Sequence, residues 1–409
     1  MFVDVDKGIE RIPYLLLCRE QSAPFKDVYG GVDHVVLRAH LLRPPGRKSR
    51  TVIIFMHPIG GGEYLPLPMA LARAGHHVIY CQSRYPNNDT ALIMEKVALD
   101  LGECIRDART RLGYDTVVLG GWSGGGSLAL FYQRQAEHAT VRCTPAGDPP
   151  NLQEEDLLPA DGMLLLAAHV SRALTLTEWM DASILDESDP GIRDPELDLY
   201  DPHNPHQPPY SPGFQQRYHA AQIARNRRIT AWAREKLDWL RAQGRPNEEF
   251  AFTVHGTMAA PVWLDHSIDP NERKPNACFL GDPRVVNNGP VGLARFTTLR
   301  SWLSQWSYDA SNANGIADAA NMSLPTLVIS NGADDACTPS HAHRLFHAVA
   351  NKNKALIEIS GATTTSANRS NCARPSRPAP VGCASEADRC LNGRGATCRK
   401  LSLPQVIEP

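Results

Sequence analysis

One serine has neighbours that give it chemistry. The run Leu119-Gly120-Gly121-Trp122-Ser123-Gly124-Gly125-Gly126-Ser127 contains Gly-x-Ser-x-Gly, after a β-branched run and before a stretch of helical composition. In that setting the serine occupies a sharp turn with strained backbone angles, and glycines two before and two after it let strand and helix approach closely. The helix N-terminus then turns free N–H groups and a positive dipole end toward the reacting centre. The chemistry this permits is attack by the Ser123 hydroxyl on a carbonyl carbon. The competing reading is a glycine-rich turn that only packs a helix on a sheet.

Acyl transfer builds negative charge on the carbonyl oxygen, so backbone donors must already be aimed there. The run Thr51-Val52-Ile53-Ile54-Phe55-Met56 leads into His57-Pro58-Ile59-Gly60-Gly61-Gly62. One donor is expected from Gly124, after the nucleophile, and the second from Ile59 or Gly60. The glycine run is also compatible with a plain turn, but no Lys-Ser/Thr follows, which excludes a Walker A phosphate loop. His57 is read as a brace for this loop.

A third polar cluster ends a later apolar run: Pro325–Ser330, then Asn331-Gly332-Ala333-Asp334-Asp335-Ala336-Cys337-Thr338-Pro339. An acid after a late strand orients a catalytic histidine and stabilises the imidazolium. Asp335, three residues after Gly332 and four before Pro339, is the expected acid; Asp334 competes, and a solvated turn is the remaining reading.

These residues need elements to hold them. Strands are expected at 34–42, 51–56, 77–81, 116–119, 163–168, 325–330 and 356–359, with helices near 65–74, 89–112, 124–137 and 340–350. Short apolar runs alternating with helical stretches predict a parallel, doubly wound α/β sheet. Residues 170–320 break the alternation. They are rich in Pro, Asp, Asn and His, with helices expected near 220–242 and 296–308, and read as an inserted, largely helical cap, because a structureless insertion of that length is improbable. The expected division is therefore 1–169 and 321–361 for the core, 170–320 for the cap, and 362–409 for a tail.

The 409 residues carry a formal net charge of -2, with 42% hydrophobic residues. That suffices for a large core and lacks the basic excess of a nucleic-acid binder. No run reaches the roughly 18 apolar residues of a membrane span. The N-terminus carries acidic residues early and only a short apolar run, unlike a signal peptide, so a cytoplasmic location is expected. Cys18, Cys81, Cys104, Cys143, Cys278 and Cys337 show no zinc or CxxC spacing and read as reduced packing residues. No cofactor or metal is expected, and the sequence carries no signal of oligomeric state.

The motifs HPIGGG, GWSGGGS and NGADDACTP, in this order, resemble the α/β-hydrolase superfamily over about residues 35–361, apart from the insertion. The resemblance implies a mostly parallel sheet, a variable cap, and a triad in the order Ser, Asp, His. A serine nucleophile is similar to that of the esterases, lipases, thioesterases and acyltransferases of this group, and unlike the aspartate of its dehalogenases and epoxide hydrolases.

The resemblance also implies a histidine in the turn after the last strand, near position 364. The sequence there is Gly361-Ala362-Thr363-Thr364-Thr365, and no histidine follows His347. From 362 onward there is no Phe, Tyr or Trp, while six Arg, five Pro and four Cys crowd together. That composition reads as a disordered segment or as a shifted reading frame. The rival is a natural, divergent tail with a different base: His341, His343 and His347 are candidates, though expected on the surface of the helix after the acid, and His255 and His266 could approach the site from the cap. His203 and His206 read as loop residues. Trp179, Trp232, Trp239, Trp263, Trp302 and Trp306 suggest an apolar acyl pocket, or the packing of the cap itself. The expected function is serine hydrolysis of a small-molecule carboxylic ester. The alternatives are a catalytically impaired binding protein on the same fold, or an acyltransferase.

Overall fold

The computed structural model describes residues 8–19, 34–63, 65–290 and 295–365. Five β-branched and aromatic residues, Thr51–Phe55, form β3, which lies inside the sheet and sends Val52 and Ile54 to one apolar cluster and Ile53 and Phe55 to another. This alternation is what a strand buried on both faces requires. Around it stand β1 (Glu10–Arg19), β2 (His34–Arg43), β4 (His77–Cys81), β5 (Thr116–Ser123), β6 (Gly162–Ala168), β9 (Thr326–Asn331) and β10 (Lys354–Ile359), while the short β7 (Ala251–Thr253) and β8 (Phe296–Thr298) form a separate pair. The eight-stranded order is β1-β2-β4-β3-β5-β6-β9-β10. β2 is antiparallel to both β1 and β4, and the rest run parallel.

Helices α2 (Met94–Thr110) and α3 (Gly124–Glu137), with α6 (Pro339–Ala348), bury apolar residues in the cluster on one sheet face. Helix α1 (Pro66–Arg73) packs on the other. The chain has the α/β-hydrolase fold, with the doubly wound sheet expected from the sequence.

Two elements differ from expectation. The sequence marks the region of β1 only by a short apolar run, yet Leu16 and Cys18 point inward while Leu15 and Leu17 are exposed, the period-two pattern of an edge strand. The helix expected near 296–308 is instead β8, one short helical turn, and a π-helical turn at Trp302–Trp306. Ser307 N–H closes that turn on Trp302 O at 2.9 Å. The wider turn lets Ser304 and Gln305 face the core while Trp302 and Trp306 stack at 5.2 Å inside the insertion.

Between β6 and β9 the insertion builds its own core around α4 (Arg172–Glu178) and the 31-residue α5 (Pro212–Ala242). Helix α5 starts where Ser211 caps it and Pro212 fits the first turn. Trp179, Trp263, Trp302 and Trp306 are buried in this core, whereas Trp232 and Trp239 are exposed. Most of these tryptophans therefore pack the insertion. Residues 362–365, grouped with the tail in the sequence, are ordered beside the acid loop: Ala333 N–H donates to Ala362 O at 2.7 Å, and the Asn331 amide to Thr363 O at 2.7 Å. The remainder of the tail, 366–409, lies outside the described residues.

Behind α3, the short helix Gly315–Ala319 carries Asp318, which is buried with one carboxyl oxygen lacking a hydrogen-bond partner. Burial pushes its pKa up to about 8, against the pull of Arg134. The folded chain holds this proton where an unfolded aspartate, near about 3.9, has released it. Stability from this group is thus full below pH about 4 and is lost as pH rises toward 8. Asp318→Asn is therefore expected to raise Tm by several degrees at pH 8 and not at pH 4, measured by thermal melts; an equal change at both would contradict this.

Candidate active site

Ser123 ends β5 and is the residue before α3, with φ 51° and ψ -126°. A positive φ at a non-glycine residue costs of order 1–3 kcal/mol and persists only where the surroundings impose it. Here they do. A Cβ on Gly121 would lie 2.7 Å from Gly126 Cα, one on Gly125 2.5 Å from Met56 O, and one on Gly126 2.4 Å from Ala168 Cβ. Only bare backbone fits between strand and helix. Gly125→Ala, which meets a carbonyl rather than a movable side chain, is expected to cost at least about 1–3 kcal/mol and to lower Tm by several degrees; an unchanged melting curve would contradict the packing described.

On the oxyanion side, Gly60 has φ 65° and its N–H donates to His57 O at 2.9 Å, closing the turn. Ile59 N–H makes a long 3.3 Å contact to His57 Nδ1. His57 is buried, and burial, reinforced by the Arg172 cation, lowers its pKa to about 3, so the ring is neutral. Its Nε2 lies 2.9 Å from where a Cβ on Gly124 would sit, so His57 packs directly against the start of α3. The same point is 3.6 Å from Arg172 Nη1, a buried donor without a partner. The rest of that guanidinium is held by Gln305 at 2.8 Å and Asp89 at 2.9 Å.

The acid loop brings both aspartates to one residue. The Thr364 hydroxyl donates to an Asp334 carboxyl oxygen, and lies 3.1 Å from Asp335 Oδ1. Asp334 also accepts from Ala336 N–H at 2.8 Å and Cys337 N–H at 2.9 Å, so it locks the turn. Burial pushes its pKa up to about 7, with these hydrogen bonds pulling the other way. The Thr364 carbonyl accepts from Trp122 Nε1 at 2.7 Å. Position 364 therefore lies between the acid loop and the residue preceding Ser123.

The residue in contact with the Ser123 hydroxyl is one the sequence reading did not single out. His169 follows β6, and its Nε2 is 3.3 Å from Ser123 Oγ. Register puts it there: Ser123 pairs with Ala168 across a bulge, and His169 N–H donates to Ser123 O at 2.9 Å. Ala167, with φ 41°, turns the chain at this point. The signal available in the sequence was a histidine ending a buried strand, Gly162–Ala168, but its use needed the knowledge that β5 and β6 are neighbours.

His341 was expected on the surface. It is buried with Ala342 and Leu345 on the inner side of α6, and its ring centroid is 6.2 Å from that of His169. His343 and His347 are exposed, as expected. His203 is an exposed loop residue beside Asp201, and His206 stacks on Phe214 at 4.7 Å. His255 lines a separate groove of about 420 Å³ on the insertion with Arg228, Trp232 and Phe252. A cavity of about 200 Å³ opens between α4, α5 and the acid loop, lined by Glu178, Trp179, Asp269, Ala336, Thr338 and His341. Its Trp179 ring also packs edge-on against His169, with centroids 5.4 Å apart.

No family model and no curated sequence matches the chain. Solved structures do. The esterase Est1E from Butyrivibrio proteoclasticus is 11% identical, covering 92% of this chain and 98% of its own, at a TM-score of 0.42. The peroxisomal alpha-beta-hydrolase Lpx1 from Saccharomyces cerevisiae is 10% identical, covering 98% and 93%, at 0.43. Carboxyl esterase 2 from Tuber melanosporum is 13% identical, covering 95% and 86%, at 0.42. These are likenesses of fold. Among the described residues, no helix is long and apolar enough to cross a membrane, and no three His, Cys, Asp or Glu side chains gather as a metal-holding group.

Proposed function

We propose that the chain is a serine hydrolase acting on small carboxylic esters through an acyl-enzyme, with Ser123 as nucleophile. The strained Ser123 turn at the head of α3 carries this reading, because a costly backbone conformation at a residue bearing a hydroxyl is the mark of a nucleophile's turn. Gly124 and Ile59 supply the oxyanion donors: both Ile59 and Gly60 N–H groups point back to His57, but the Ile59 contact to Nδ1 is the longer, at 3.3 Å against 2.9 Å for Gly60 to the carbonyl, and is the one that gives way to the oxyanion. The insertion acts as a cap. Asp335 is the acid and Asp334 its structural neighbour. Thr364 occupies the place of the histidine that such an acid would orient.

The test is intact-protein mass spectrometry after mixing with p-nitrophenyl acetate. A single acetyl adduct that forms with release of p-nitrophenol, and is absent in Ser123→Ala, is expected. Release without any adduct, at equal rates in both proteins, would overturn the reading. Adding an alcohol acceptor distinguishes hydrolysis from acyl transfer.

A further inference from the structure

We propose that His169 is the general base of this chain, taking the Ser123 hydroxyl proton through Nε2 from a position after β6. This rests on Ser123 being the nucleophile. The contact is specified by the sheet and needs no chance approach of a loop. The β5–β6 register fixes the backbone of His169 against Ser123 O at 2.9 Å, which leaves its Nε2 3.3 Å from Oγ. Contacts of this length in a substrate-free site shorten when substrate is bound. The ring is held by the Trp179 edge at an interplanar angle of 88° and by the tilted His341 ring. At position 364, where the fold would place the base, a threonine hydroxyl cannot take a proton at neutral pH.

The Oγ–H bond breaks and its proton passes to Nε2 as Oγ bonds the ester carbonyl carbon. The carbonyl π pair moves onto oxygen, where Gly124 and Ile59 N–H groups meet it. Collapse of this intermediate re-forms the carbonyl and expels the alcohol, which takes the proton back from Nε2. Water repeats the sequence to free the acid. For Nε2 to accept, Nδ1 must carry the ring hydrogen, and that atom is buried without a hydrogen-bond partner.

The groups facing His169 define how such a base behaves. His57 from the loop after β3, Arg172 from α4 and His341 from α6 are all neutral or cationic. Near His341 stand Glu178 and Asp269, with Arg344 opposing them. Burial first, then these neighbours, hold the His169 pKa well below that of a free imidazole. The base is therefore unprotonated across the neutral range, but its imidazolium is poorly stabilised because Nδ1 has no carboxylate against it among the described residues. Turnover is slow, and it does not fall as pH drops through 6.5.

The experiment compares p-nitrophenyl acetate turnover by the wild-type chain, His169→Gln and Ser123→Ala between pH 5.5 and 8, with melting curves for each. Glutamine keeps the size and polarity of the ring but cannot take a proton. A loss of about 10²-fold or more in kcat with little change in KM is expected for His169→Gln, together with a flat wild-type pH profile. If His169→Gln keeps the wild-type rate while Ser123→Ala loses it, His169 is not the base and the nucleophile stands. If His169→Gln does not fold, the wild-type profile decides: an acid limb near pH 6.5 overturns the proposal. Wild-type turnover equal to that of Ser123→Ala overturns both assignments.

Discussion

Thr364→His is expected to raise ester turnover by about 10²–10⁴-fold, the range a well-placed general base contributes. The position is prepared for it. The Thr364 hydroxyl already touches both aspartates of the acid loop, and its carbonyl is tied to Trp122, one residue before the nucleophile. A histidine there gains what His169 lacks, a carboxylate against one ring nitrogen, which fixes the tautomer and stabilises the imidazolium. The variant's pH profile should also change. A carboxylate against the ring raises a histidine's pKa and opposes the effect of burial at this position, so the rate should fall on the acid side where the wild-type rate stays flat. In this background Asp335→Asn should remove most of the gain and leave the fold intact. Asp334→Asn should chiefly lower Tm, because Asp334 receives the Ala336 and Cys337 N–H groups. Steady-state kinetics with p-nitrophenyl esters and thermal melts check each outcome. A Thr364→His variant that folds but gains nothing would show that position 364 cannot serve the nucleophile.

Ser123→Ala is expected to abolish enzyme-dependent turnover entirely, a larger effect than loss of any base. Removing His169 leaves a hydroxyl that water can still help to deprotonate, with the oxyanion donors in place. Removing the hydroxyl leaves no acyl-enzyme route at all. The substitution should not unfold the chain, since alanine adopts the backbone of the turn no less well than serine, and the Oγ makes a single long contact to His169. Thermal melts that coincide within a few degrees, with turnover at background, are the expected pair of results.

The elements that hold the nucleophile were readable because their residues carry strong local signals. Thr51–Phe55 and His77–Cys81 are short β-branched runs whose burial leaves no other fate, and the glycines around Ser123 mark a turn where any Cβ collides. The acid loop was readable as a polar cluster closing an apolar strand. What escaped was set by tertiary context. Leu15 to Cys18 is an unbroken apolar run, and its alternation of buried and exposed positions appears only once β2 pairs with it at the sheet edge. The π turn at Trp302–Trp306 has helical spacing of tryptophans and departs from a helix because Ser304 and Gln305 must reach α2 and Arg172. His341 shares its inward side with Leu345, an i,i+4 pairing that could have marked it as buried. His169 belongs to the site only because β5 and β6 are adjacent, a fact of sheet order rather than of sequence.

Covalent labelling tests the identity of the nucleophile most directly. Treating the folded chain with a fluorophosphonate and mapping the modified peptide by mass spectrometry asks which oxygen is nucleophilic without requiring knowledge of the natural substrate. One phosphonylated residue is expected, Ser123, with faster labelling in Thr364→His and none in Ser123→Ala. Labelling at another residue that persists in Ser123→Ala, with Ser123 unmodified in the wild-type chain, would contradict it.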